Sequence, residues 1–185
     1  PLELETASSS ANPGAIAAAR MGNLARGNAR GSGILETRTM LAFLPRSAEV
    51  LTGAGLKMAN IATWWCGGAR ERAYVRQNAD RMMIGPAMAV DLPFDINANT
   101  ALGGKFREAA HAPIADWLAA EGGRLVGQEA VTLSTTPAWI GAGAEGRIRP
   151  CPMTVRIFAA RTRHGWTFMP GGYARIGPEG DATAL

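Results

Sequence analysis

The closing segment from Thr154 to Arg175 constrains this chain more than any other stretch. Thr154 to Ala160 and Trp166 to Met169 read as strands, and the short polar turn Arg161 to Gly165 joins strands simply as an antiparallel hairpin. Arg156 stands inside the first of these runs, flanked by Val155, Ile157 and Phe158. Period-two alternation places it on the face opposite Val155 and Ile157, where it either lines a cleft or is an ordinary exposed arginine.

Upstream, the signals are mostly helical. Gly14 to Arg20 reads as a short helix after Asn12 and Pro13, and Met21 to Gly33 as a strand running into a glycine-rich turn. Glu36 to Leu51 carries Met40, Leu41, Phe43 and Leu44 at helical spacing, with Pro45 expected to break or kink the helix. Ala62 to Gly68 reads as a turn-rich link, Ala69 to Asp80 as a polar helix, and Met82 to Ile84 as a short buried strand. Residues 86–104 have little periodicity and are expected to form a mobile loop. Lys105 to Glu121 reads as an amphipathic helix ended by Gly122 and Gly123, and Arg124 to Gln128 as a further strand.

Composition narrows the function classes. The net charge of +4 is carried almost wholly by arginine, since Lys57 and Lys105 are the only lysines. Guanidinium groups suit bidentate grips on phosphate or carboxylate, although solvated surface charge explains the same count. A nucleic-acid-binding role rests on charge alone and ranks last. The uncharged stretch that runs from Thr132 up to, but not including, Glu145 is broken by Pro137, Gly141 and Gly143 and is too short to span a bilayer. The first residues lack a secretory leader and begin with Pro1, so the chain is expected to start within a longer protein of the cytoplasm. Cys66 and Cys151 have no companion ligands that would suggest a zinc site or a disulfide framework.

Two glycine-rich places are candidate phosphate cradles: Gly31, Ser32 and Gly33 before a helix, and Pro170 to Arg175 after a strand. Gly31-Ser-Gly33 lacks the lysine of a P-loop and the third glycine of a dinucleotide fingerprint, which favours a structural turn there.

The order of motifs nonetheless resembles the circularly permuted ATP-grasp type 2 family, the glutathionylspermidine-synthase-like ATP-grasp proteins, nearly end to end. The resemblance is carried by Pro1-Leu-Glu-Leu4, Asn28-Ala-Arg-Gly-Ser-Gly-Ile-Leu-Glu36, Phe43-Leu-Pro45, Ala62-Thr-Trp-Trp-Cys-Gly67, Gln128-Glu129 with Leu133-Ser-Thr-Thr-Pro137, and Arg156 with Pro170-Gly-Gly-Tyr-Ala-Arg175. It implies an α+β, ATP-grasp-like fold of antiparallel or mixed sheets flanked by helices. Residues 1–185 would form part of one such region, a partial fold needing the remainder of the same polypeptide to complete its site. The implied activity is ATP-dependent ligation of a small-molecule carboxylate to an amine through an acyl phosphate.

The same resemblance implies roles for individual residues. Arg156 and Arg175 would bind phosphate, Gln128 and Glu129 would border the adenine, Gly31, Ser32 and Gly33 would approach the nucleotide, and Asn28 and Glu36 would help to hold Mg2+. Cys66 reads as a buried structural thiol. Two departures stand out. Ile84-Gly85-Pro86-Ala87 has glycine where the family typically has a phosphate-binding lysine, and Ala7-Ser8 replaces its Asp-Ser pair. The alternative is accordingly a degenerate, non-catalytic ATP-grasp module that binds a nucleotide or a protein partner.

Overall fold

The computed structural model describes residues 14–24, 27–28, 31–90, 99–106, 112–141 and 146–177. The chain divides into two compact units, Pro1–Asp91 with Ala98–Ala130, and Leu92–Asn97 with Val131–Leu185. All strand pairings described are antiparallel, and helices accompany the larger sheet, in keeping with the α+β expectation. No helix among the described residues is long and apolar enough to cross a membrane.

The first unit opens with helix α1 (Ala15–Arg20). Its sheet has the order β1 (Thr63–Trp65), β5 (Leu125–Glu129), β2 (Met82–Pro86), β3 (Ala101–Leu102) and β4 (Lys105–Phe106). Alternation divides its side chains between two faces. On one face Met82, Ile84, Ala101 and Leu125 join Cys66, with Val75 of α3 (Ala69–Gln77) and Leu118 of α4 (Ile114–Glu121), in a buried apolar core. Trp64 lies 4.8 Å from Tyr74 and Phe106 lies 5.0 Å from Trp117, ring centroid to centroid, extending that core along both helices. Gly127 lets α3 approach closely, because a Cβ there would stand 2.7 Å from a Val75 methyl carbon.

Helix α2 (Arg38–Thr52) associates with the opposite face, where Phe43 and Trp65 place their ring centroids 6.2 Å apart. Pro45 lies inside this helix and does not end it. A proline cannot donate to the carbonyl four residues earlier. The Leu41 carbonyl instead accepts a 2.7 Å hydrogen bond from the Asn60 side-chain amide, so a later residue supplies the missing donor.

Other local expectations change for similar reasons. Met21 to Gly33 contains no strand among its described residues; a 3-10 turn begins at Ser32. Ala62 to Gly68 contains β1, whose three residues are too few to show a strand period. Lys105 starts a strand rather than a helix, since Leu102 and Lys105 pair across the tight Gly103-Gly104 turn. The expected loop at 86–104 therefore includes β3, while residues 91–98 fall outside those described.

The second unit is β-rich. Strand β7 (Arg147–Arg156) pairs through its first part with β6 (Thr135–Ile140) and through its last four residues with β10 (Tyr173–Ile176). Strands β8 (Ala159–Thr162) and β9 (Gly165–Phe168) form a hairpin, but the strand expected over Thr154 to Ala160 is divided. Thr154 to Arg156 end β7 and pair with β10, only Ala159 and Ala160 of that run join β9, and Arg161 and Thr162 extend the strand into the expected turn. Pro137, Pro150 and Pro152 obscure β6 and β7 in the sequence because proline cannot donate to a ladder; among the described residues β6 pairs only with β7, and β10 pairs with β7 only from Met153 onward.

Candidate functional site

The face of the first sheet opposite its apolar core carries an unusual polar group. Gln128 is 1% exposed, and its amide nitrogen donates to the Thr63 hydroxyl over 3.2 Å. Its Oε1 is buried with no hydrogen-bond partner among the described residues. A buried carbonyl acceptor left unpaired costs about 1–3 kcal/mol, so this oxygen favours a ligand that brings a donor. β5 is long enough to carry this polar side chain because Leu125 and Gly127 face the apolar core while Val126 and Gln128 alternate to the other side.

Two positions along the adjacent strand, the same face is occupied by Gly85. In the antiparallel register Met83 pairs with Gln128 and Gly85 with Val126. Arg38, the first residue of α2, is only 2% exposed, and its guanidinium donates to the Thr100 hydroxyl over 3.5 Å. A Cβ built at Gly85 would meet that guanidinium nitrogen at 2.8 Å and the Thr100 hydroxyl at 3.0 Å. Glycine thus leaves the space that Arg38 fills.

The neighbouring expected residues separate. Glu129 follows Gln128 but points to the other face, where it lines a depression of about 410 Å³ with Trp64, Tyr74, Arg81 and Met82. Gly31 has φ 82° and opens the 3-10 turn containing Ser32 and Gly33, which accounts for a glycine at this turn. The helix start beyond it is already occupied: the Arg38 and Thr39 amides donate to the Ala89 and Ala87 carbonyls at 2.9 and 3.0 Å. A phosphate cradle at this place would therefore have to use the earlier glycine-rich turn rather than those two helix amides.

Asn28 and Glu36 are exposed. No cluster of three histidine, cysteine, aspartate or glutamate side chains capable of holding a metal occurs among the described residues. Magnesium commonly uses one or two carboxylates with substrate phosphates and water, so an amide and one carboxylate remain chemically suitable donors. Within the second unit, Arg156 and Arg175 come together around a depression of about 300 Å³ that also includes Thr154, Val155, Ile157 and Tyr173. Their backbone neighbourhood follows from register, which pairs Arg156 with Tyr173 and Thr154 with Arg175.

Cys66 belongs to the apolar core. Burial pushes its thiol to about 11, opposed by a backbone hydrogen bond from Gly127 and by the charge of Arg72. At neutral pH it is protonated, consistent with a structural thiol rather than a nucleophile. Sequence reasoning missed Arg38, Thr100 and Thr63. Arg38 had one local signal: a cation at the first turn of a helix opposes the helix dipole, which calls for a reason elsewhere.

The family described as circularly permuted ATP-grasp type 2 matches residues 1–177. A Frankia alni protein named "Putative glutamate--cysteine ligase 2-3" is 24% identical over 168 residues, covering 91% of this chain and 18% of that protein. The uncharacterized protein Rv2567 of Mycobacterium tuberculosis is 27% identical over 182 residues, covering 98% of this chain and 19% of its own length. The chain therefore spans about a fifth of the length of these relatives.

Proposed function

We propose, on the premise that this chain belongs to the circularly permuted ATP-grasp type 2 family, that the full-length protein is an ATP-dependent carboxylate–amine ligase. The observation that carries the nucleotide part of this reading is the buried Gln128 Oε1, an acceptor without a partner among the described residues, on the sheet face opposite the α3–α4 core. It suits an amino group at the edge of an adenine. Of the Gln128–Glu129 pair, Gln128 is thus assigned to the base, because Glu129 turns to the other face.

ATP would supply the phosphoryl group that activates an acid, and Mg2+ would offset its charge. Asn28 and Glu36 would help to hold the metal, with Gly31, Ser32 and Gly33 approaching the nucleotide through their turn. Arg156 and Arg175 converge around one depression and would provide charge-assisted donors to phosphate. Such donors stabilise charge most where water is excluded. The name of the Frankia alni relative makes glutamate and cysteine the first acid and amine to test.

The test is phosphate release by full-length protein given Mg-ATP and paired acids and amines, alongside thermal unfolding. Ligation predicts release requiring both partners and a rise in Tm with Mg-ATP, since selective ligand binding stabilises the folded state. The absence of both phosphate release and a Tm shift at millimolar nucleotide would reject it. Gly85 keeps a second reading in play, a module that binds nucleotide without turnover; a Tm shift without release from any pair would favour that reading.

A further inference from the structure

We infer that the depression bordered by Trp64, Arg81 and Glu129 is a binding site for a free α-amino acid with an apolar side chain, separate from the nucleotide face. Its volume of about 410 Å³ falls within the span of small-molecule sites, roughly 300–1,000 Å³. Everything that lines it belongs to the first unit. The inference goes beyond the function proposed above and does not depend on it.

Recognition begins with two charges of opposite sign that share this depression without pairing. The end of β5 and the approach to β2 run side by side: the Ala130 amide donates to the Arg81 carbonyl over 3.0 Å, and Glu129 stands opposite Met82. Neighbouring backbones of this kind ordinarily let an arginine and a carboxylate meet. Here the Arg81 guanidinium instead donates to the Asn78 side-chain oxygen over 2.6 Å, back towards the end of α3. The Glu129 carboxylate has no partner among the described residues. A guanidinium carries several N–H donors, and one bond to Asn78 leaves others free to grip a carboxylate. Glu129 is an acceptor for an ammonium. An α-amino acid carries both groups on one carbon, so a single small molecule satisfies both charges at once.

The side chain of such a ligand also finds a surface. Trp64 and Tyr74 pack with their ring centroids 4.8 Å apart, Tyr74 remains 43% exposed, and both border the depression beside Met82. Aromatic and thioether surfaces favour an aliphatic or aromatic group over a polar one. A simple anion would use Arg81 alone and a simple amine Glu129 alone, and neither would cover the aromatic wall. Both charged residues are exposed, which discounts each contact taken singly and makes their combination the source of selectivity. Gln128 and Glu129 point to opposite faces of β5, so this ligand lies on the side of the sheet away from the base assigned to Gln128.

Calorimetry on the full-length protein tests the inference with L-leucine, L-methionine and L-phenylalanine. Each is compared with its N-acetyl derivative, which lacks the ammonium, and with its amide, which lacks the carboxylate. At least one of the three amino acids is expected to bind at millimolar concentration or below, and both of its derivatives to bind roughly three- to tenfold more weakly. Glu129→Gln should weaken the free amino acid by a similar factor and abolish the preference over the N-acetyl form. Arg81→Gln should abolish the preference over the amide. Circular dichroism checks that each variant is folded, and a titration in saturating Mg-ATP should give the same amino-acid affinity as one without nucleotide.

Absence of binding by all three amino acids, derivatives that bind as well as their parents, or preferences unchanged in both variants would overturn the inference. Displacement by Mg-ATP would also overturn it, because the depression would then belong to the nucleotide site. Should either variant fail to fold, the comparison of derivatives on the wild-type protein decides. Amino-acid binding in a protein that does not bind Mg-ATP would support this inference while counting against the function proposed above, and Mg-ATP binding without amino-acid binding would do the reverse.

Discussion

Replacing Asn60 by alanine tests how α2 continues through Pro45. Asn60 donates to the Leu41 carbonyl over 2.7 Å, at the carbonyl that residue 45 would satisfy if it were not proline. Asn60 and Leu41 are half-buried, so water replaces the lost donor only in part. Loss of the hydrogen bond is expected to destabilise the first unit by about 1–2 kcal/mol. The decisive comparison repeats Asn60→Ala in a Pro45→Ala background. There the helix supplies its own N–H to Leu41, and the cost of losing Asn60 should fall below about 0.5 kcal/mol, giving a coupling near 1 kcal/mol.

Urea unfolding followed in the helical band of circular dichroism measures this coupling in the chain itself. All helices described belong to the first unit, so that signal follows the relevant element. Coincident transitions by a second probe are needed before free energies are compared. Equal Asn60→Ala costs with and without Pro45 would refute the idea that Asn60 compensates for the proline.

Further perturbations separate packing, titration and ligand binding. Gly127→Ala would force a Cβ to 2.7 Å from Val75, and overpacking of this kind should lower stability by about 1–3 kcal/mol in the same urea assay. Cys66 has a folded-state value raised from 9.0 to about 11, so its contribution is fully present below pH 9 and is lost progressively as pH rises through 11. The loss should be on the order of 2–3 kcal/mol, and Cys66→Ala should flatten that alkaline part of a stability–pH curve. Arg156→Ala and Arg175→Ala should each weaken Mg-ATP binding by roughly five- to tenfold in calorimetry, with the double variant departing from additivity because both line one depression.

The local elements with strong, uninterrupted patterns are legible in the sequence. The polar helix α3, the buried start of β2, strand β5 and strand β9 follow from apolar period and turn chemistry, whereas the strand expected over Thr154 to Ala160 is divided between β7 and β8. Elements governed by distant partners are not. Asn60 compensates for Pro45 and so removes the expected break, and the pairing of Lys105 with Leu102 defeats a helical apolar period that otherwise continues through Trp117. Among the candidate site residues, Gln128 and the neighbourhood of Arg156 and Arg175 can be picked out from sequence motifs, but the burial of Arg38 depends on a volume beside Gly85 that no spacing along the chain reveals.

Photolabelling of the full-length protein with an azido-adenine analogue of ATP, in magnesium and with unlabelled ATP as competitor, tests the nucleotide assignment most directly. The Gln128 face predicts competed labelling on β5 at Val126 or Gln128, or on Thr63 beside it. Competed labelling confined to Tyr74, Arg81 or Glu129, which line the depression on the opposite face, would contradict that assignment.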